Sequence, residues 1–223
     1  MKYYHFSIDA DVAGKREYVD LFKYDIDLPT AQGQLDSKAL PNTPPIFSQL
    51  DIDQATPFLQ DIGTIGGEGF LAKKQITDIL NRFSLGKHKI YQLETFDLNL
   101  KPIDPYCWVQ VVSPEYSDWI DYRKSSIWTY DSMGWDLEKI DQLSIKSSHK
   151  FRKVQTELLN TDIGLLYEEL TLNKRFPNLD IFYMNNFQHK LFNDLIVSER
   201  LMNFLDDRAA GTLIFSELPI HAH

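Results

Sequence analysis

One motif occurs twice in this chain, and it constrains the fold more than any other feature. Residues Phe70-Leu71-Ala72-Lys73-Lys74-Gln75-Ile76-Thr77-Asp78-Ile79-Leu80 are answered by Leu195-Ile196-Val197-Ser198-Glu199-Arg200-Leu201-Met202-Asn203-Phe204-Leu205. Each copy has an apolar triplet, three polar residues, and then apolar positions at helical spacing. Ile76, Ile79 and Leu80 match Leu201, Phe204 and Leu205. Each copy runs on into an apolar segment, Ile90-Tyr91-Gln92-Leu93-Glu94 or Ile214-Phe215-Ser216-Glu217-Leu218. A strand end, an amphipathic helix and a closing strand form a self-contained packing unit. Such a unit serves the fold, which argues against placing an active site in either copy.

The 223 residues suffice for a sizeable core and allow one large domain or two small ones; the reading is a single globular domain over 1–223, with two packed halves, 1–113 and 114–223, as the alternative. A hydrophobic share of 43% with 13% aromatics places the chain among folded proteins. The formal charge of −9 disfavours nucleic acid and anionic membrane as partners, since phosphate neutralisation needs clustered Lys and Arg. An acidic surface instead suits a basic partner and speeds association with it. The single cysteine, Cys107, excludes an internal disulfide and a cysteine-based zinc site, and reads as a buried structural thiol. The first residues lack a signal-peptide apolar run, and no segment approaches a membrane span, so the chain reads as cytoplasmic.

Along the chain, strands are expected at residues 2–9, 18–26, 89–98, 106–112, 126–130, 179–184 and 212–215. Residues 28–45, with Pro29, Pro41, Pro44 and Pro45, read as a surface crossing, and 53–62 as a short helix or turn. Helices are expected at 73–83, with Gly86 just beyond it, and at 199–208, with Ser198 as N-cap and Gly211 as stop. Residues 116–122 read as a turn or short strand. Residues 148–160 suit a helix or a strand paired with 137–145. Strands and helices without regular βαβ spacing indicate an α+β fold with mixed or mostly antiparallel sheets.

No catalytic residue, cofactor site or metal site stands out. Gly67-Glu68-Gly69-Phe70-Leu71-Ala72 matches a dinucleotide-binding pattern, with Glu94 near the ribose-acid position. Glu68 would set a carboxylate beside the phosphates, and the second copy repeats the helix without glycines, so a flexible loop is the simpler reading. The serines lack a nucleophile elbow. His221 and His223 lie on a tail read as frayed. Lys150, Arg152 and Lys153 read as a solvated face.

The richest surface candidate is 115–136, where aromatics alternate with acids. Tyr116, Asp118, Trp119, Asp121, Tyr122, Asp131, Trp135 and Asp136 are the expected partner-binding residues. Buried aromatics anchor interfaces, and carboxylates recognise cationic groups.

The run Asp194-Leu195-Ile196-Val197-Ser198-Glu199-Arg200-Leu201, closing in Gly211-Thr212-Leu213-Ile214-Phe215, resembles the C-terminal signature of a family of bacterial immunity proteins encoded beside polymorphic toxins. The turn order here is Gly-Thr, where that family has Thr-Gly. Leu179-Asp180-Ile181-Phe182 and Trp119-Ile120-Asp121-Tyr122-Arg123-Lys124-Ser125 are similar to its middle pattern, and residues 70–91 to its earlier helix-to-strand unit. The resemblance implies a non-enzymatic protein that binds and occludes a cognate toxin domain, with no cofactor. The chain's negative charge would suit a basic toxin such as a nuclease. Two alternatives are an enzyme with a glycine-loop nucleotide site and an interaction module without a toxin partner.

Overall fold

The computed structural model describes residues 1–9, 11–15, 40, 50–52, 55–60, 68–93, 95–97, 99, 101–112, 116–134, 138–184 and 194–222. In chain order the strands are β1 (Tyr3–Ile8), β2 (Gly14–Lys15), β3 (Leu50–Ile52), β4 (Phe58–Gln60), β5 (Glu68–Lys73), β6 (His88–Gln92), β7 (Thr95–Asp97), β8 (Tyr106–Val111), β9 (Ser126–Asp131), β10 (Lys139–Gln142), β11 (Ile163–Leu172), β12 (Ile181–Met184), β13 (Asp194–Ser198), β14 (Leu213–Leu218) and β15 (Ile220–Ala222). The helices are α1 (Lys74–Thr77), α2 (Ser148–Leu158) and α3 (Glu199–Ala209), joined by 3-10 turns at Leu80–Arg82 and Ser117–Trp119. The main sheets run β2-β4-β5-β8-β6, β12-β13-β1-β14 and β10-β9-β11-β15, with a small β3-β7 pair. Most pairings are antiparallel, so the fold is α+β.

The repeated motif is a repeated structure. β5 and β6 are both antiparallel to β8, which lies between them, and are therefore parallel to each other. β13 and β14 stand in the same relation to β1. Each unit is thus a strand–helix–strand crossover that straddles an intervening antiparallel strand. The register matches as well: the row Phe70, Val109, Ile90 corresponds to Leu195, Phe6, Phe215. Even the bonds that launch the helices agree. Lys73 N donates to Pro57 O at 2.9 Å and Lys74 N to Pro105 O at 2.9 Å. In the second unit Ser198 N donates to Asp180 O at 2.9 Å and Glu199 N to Lys2 O at 3.0 Å. The outer strand of each unit also corresponds, β4 hairpinning into β5 and β12 into β13.

The two units share one core. Phe58, Phe70, Ile76, Leu80 and Val109 of the first pack with Phe6, Ile181, Leu195, Leu201 and Leu205 of the second. The expected division at 113/114 is crossed by β1, which supplies the middle strand of the second unit's sheet. That sheet is buried on both faces: Tyr3, Phe182, Met184 and Ile196 point into a second core with α2 and the third sheet. Burial on both faces explains why β12 and β13 read as unbroken apolar runs.

Ser198 caps α3 as expected, its Oγ accepting from Leu201 N at 3.2 Å. At the other end Ala210 takes the left-handed conformation with φ 50°, followed by Gly211 at 79°. Residues 148–158 form the helix α2, capped by Ser147, which resolves the ambiguity there. Several expectations are corrected. The first helix has only the four residues of α1 before a 3-10 turn takes over. Within 53–62 the described segment Phe58–Gln60 is the strand β4. Residues 89–98 hold two strands, the end of β6 and then β7. The tail is ordered through Ala222, because β15 pairs in parallel with β11. The strand expected at 18–26, the crossing at 28–45 apart from Leu40, Gly67, Glu94 and His223 lie outside the described residues.

Glu68 and Gly69 belong to β5 rather than to a loop. A Cβ at Gly69 would overlap the Val109 carbonyl and lie 2.8 Å from the Trp108 ring. The glycine therefore admits a close strand-on-strand approach. Cys107 is buried in β8, and loss of hydration pushes its thiol pKa up.

Candidate functional site

The aromatic–acid stretch is divided between two sides of the third sheet, by the 3-10 turn and the turn that follows it before β9, and by alternation within β9. On the core side, Tyr122 is buried and its hydroxyl donates to Ser117 O at 2.9 Å. Its ring lies 5.4 Å from that of Phe151 on α2. Trp119 is half-buried, edge-on to Phe176 at 5.4 Å, and Tyr116 packs beside it on the same core. These aromatics support the fold, and their edges border the surface. On the opposite side, Trp128 donates to Glu168 at 2.8 Å, while Lys139 sits 5.4 Å over its ring. Lys139 also bonds Glu168, whose carboxyl is held below its usual range by Lys139, Trp128 and Ser126. Asp131 ends β9, exposed, accepting from Met133 N at 2.9 Å. Trp135 and Asp136 lie outside the described residues.

The segment carrying Asp118 and Asp121 is strapped to the end of β11. Asp121 N donates to Thr171 O at 2.8 Å, and Asn173 Nδ2 donates to the carbonyls of Asp118 (2.9 Å) and Ile120 (3.1 Å). From α2, Arg152 reaches Ser117 Oγ at 2.9 Å and the Asp118 carboxylate at 3.3 Å. The expected basic cluster on α2 is therefore partly a docking device for this segment. Lys153 behaves as expected of a solvated face, 3.7 Å from Glu157.

This strapping leaves an open cleft of about 310 Å³ between the segment, the start of α2 and Asn173–Arg175. A second cleft of about 400 Å³ continues from it along residues 142–146, and the two share Tyr122, Arg123 and Lys146. The structure brings Asp118, Asp121 and Tyr122 together at the first cleft, with Tyr116 and Trp119 packed behind it. Asp131 does not line it. Arg123, Lys146 and Arg175 were not singled out by sequence. They come from three separated segments, and nothing in their local patterns signals convergence.

No family model matches the chain, and no curated protein matches it. The likeness is internal, between two units that share strand order and register. Among the described residues, no helix is long and apolar enough to cross a membrane.

A second polar cluster marks the junction of the units. Asp180, 1% exposed, accepts from Ser198 Oγ at 2.6 Å, Ser84 N at 2.7 Å and Arg200. Burial pushes its carboxyl up, but the Arg200, Ser198 and Ser84 donors outweigh that and hold it below the ordinary carboxylate range. Arg200 lies 5.1 Å over Phe83, and Phe83 lies 5.0 Å from Phe204. The Asp180 carboxylate bonds Ser84 from the first unit and Ser198 and Arg200 from the second, so this cluster ties the units together.

Proposed function

We propose that this chain is an immunity protein that binds a cognate bacterial toxin domain in the cytoplasm and occludes it without catalysis. The observation that carries the reading is the location of the family-like residues. The segments 70–91 and 194–215, which bear the resemblance, are the same segments that build the two matched units. The resemblance thus follows a whole supersecondary design rather than an isolated helix. The exposed rim of the cleft at Asp118 and Asp121, backed by Trp119 and Tyr122, offers a rigid surface for a protein partner.

The nucleotide alternative needs Gly69 beside a phosphate, whereas β5 sets it against β8, where its missing side chain is used for packing. The interaction-module alternative predicts no toxic neighbour. The test is co-expression with the C-terminal domain of the protein encoded beside this one. Rescued growth with a stable one-to-one complex is the expected result. Toxicity that persists, or a neighbour with no toxicity, would sink the proposal.

A further inference from the structure

We infer that the cleft at the start of α2 is a carboxylate-receiving surface, which takes acidic side chains of the protein partner. The inference rests on the immunity reading for the partner's identity, and on charge for its chemistry. The cleft and its rim hold the cations Arg123, Lys124, Lys146, Arg152 and Arg175 against the carboxylates Asp118 and Asp121. Both carboxylates are engaged internally. Asp118 pairs with Arg152 at 3.3 Å, and Asp121 accepts from Arg123 N at 3.2 Å and faces Lys124 at 3.9 Å. Once these pairs are set aside, Arg123, Lys146 and Arg175 remain. All three side chains are exposed, and among the described residues none has an ion-pair partner.

An excess of unpaired cations is not what the composition favours, because acids outnumber bases 32 to 23 over the whole chain. Three of them border one continuous recess, formed by the shared walls of the two clefts. Two of the three are arginines, whose planar donors fit carboxylates in pairs. The backbone beneath them is fixed: Arg175 N donates to Asn173 Oδ1 at 2.8 Å, and Asn173 is itself bonded to the Asp118 segment. Partner carboxylates would therefore meet stems anchored to an ordered frame. The chain's net charge and this local reversal give the partner an orientation as well as an affinity.

The experiment measures association of the full chain with the neighbouring toxin domain at several ionic strengths. It compares the wild type with the triple variant Arg123→Glu, Lys146→Glu, Arg175→Glu. A second triple variant, Lys73→Glu, Arg82→Glu, Arg208→Glu, makes the same net-charge change on the repeated units. Thermal unfolding of all three proteins checks that the fold is kept; should the cleft triple fail to fold, the single Arg175→Glu and Lys146→Glu variants replace it. The expected result is association at least about 10-fold slower for the cleft variant, with a flatter salt dependence, and within about twofold of wild type for the other. Equal slowing in both triples, or no slowing in the cleft variant, overturns the assignment while leaving the immunity reading intact. A wild-type chain that forms no complex removes that reading, and this assignment falls with it.

Discussion

The two repeated units share strand order, register and the hydrogen bonds that start their helices, yet one helix has four residues and the other eleven. The difference lies at the ends and in the side chains. At the N-cap, the first unit has Lys73, which makes no side-chain cap bond, where the second has Ser198. In the helix and just beyond its end, Ile76, Thr77 and Ile79 are β-branched, where the second unit has Leu201, Met202 and Phe204. One position further out, Pro57 stands where the second unit has Asp180, so only the second unit can bond its cap and an arginine through a carboxylate. A common backbone plan thus tolerates a nearly absent helix, provided that the core-facing residues, Ile76 and Leu80 against Leu201 and Leu205, are kept.

That comparison is broken most strongly in the shared core. Leu201→Ala and Leu80→Ala should each cost about 2–5 kcal/mol by denaturant unfolding, despite the unequal helices, because both side chains are fully buried. Phe204→Ala, at a half-buried position, should cost clearly less. If Leu80→Ala proved harmless, the first unit would not be an equal partner in the core.

Next is the strand contact peculiar to the first unit. Gly69→Val should destabilise by about 3 kcal/mol through overlap with β8, with nucleotide present or absent. A melting temperature equal to wild type would return these residues to a loop. The lock peculiar to the second unit follows. Asp180→Ala should cost about 2 kcal/mol, as it strands the buried hydroxyl of Ser198 and removes the acceptor of the part-buried Ser84 N–H. Its pH dependence has a definite sign. The folded pKa is depressed, so the contribution is present above the unfolded value of about 3.9 and is lost as pH falls through the folded value. Wild type and Asp180→Asn should therefore converge in stability on acidification below about pH 4. Parallel curves would remove the carboxylate from the account. The smallest effects sharpen the capping argument. Ser198→Ala should lose about 1 kcal/mol, and Lys73→Ser should gain about 0.5 kcal/mol with a rise in helical circular dichroism. A Lys73→Ser variant without either change would assign the short α1 to its β-branched residues alone.

The repeat was legible because both of its periods, strand and helix, survive in the apolar pattern. β1, β9 and α3 were legible for the same reason, and β8 and β12 as short apolar runs whose residues are buried throughout. The longest strand, β11, was not anticipated. Its register shifts between Tyr167 and Glu169, which breaks the period-two pattern where two acids are adjacent. The helix or turn expected at 53–62 gave way to β4, which gains its place by pairing with β5, a contact no local pattern announces. The aromatic–acid stretch was legible as chemistry but not as a surface. Ile127 points into the core and Trp128 away from it, so neighbours in sequence face different surroundings. The cleft's unpaired cations were invisible for a related reason, since they meet only after β11 and α2 have docked.

The placement of β1 has a consequence for the order in which the molecule can be completed. Phe6 pairs with both Leu195 and Phe215, so an early strand finds its neighbours only about 190 residues later. At synthesis rates of roughly 5–20 residues per second, that strand waits on the order of 10–40 s for its neighbours. Contacts of such long range slow folding and leave edges open in the meantime. The chain is in effect closed by a clasp, in which its first strand is held shut by its last helix–strand unit. Cutting the polypeptide within 113–115 would yield two fragments that need each other, and their reassembly would report directly on the closing of that clasp.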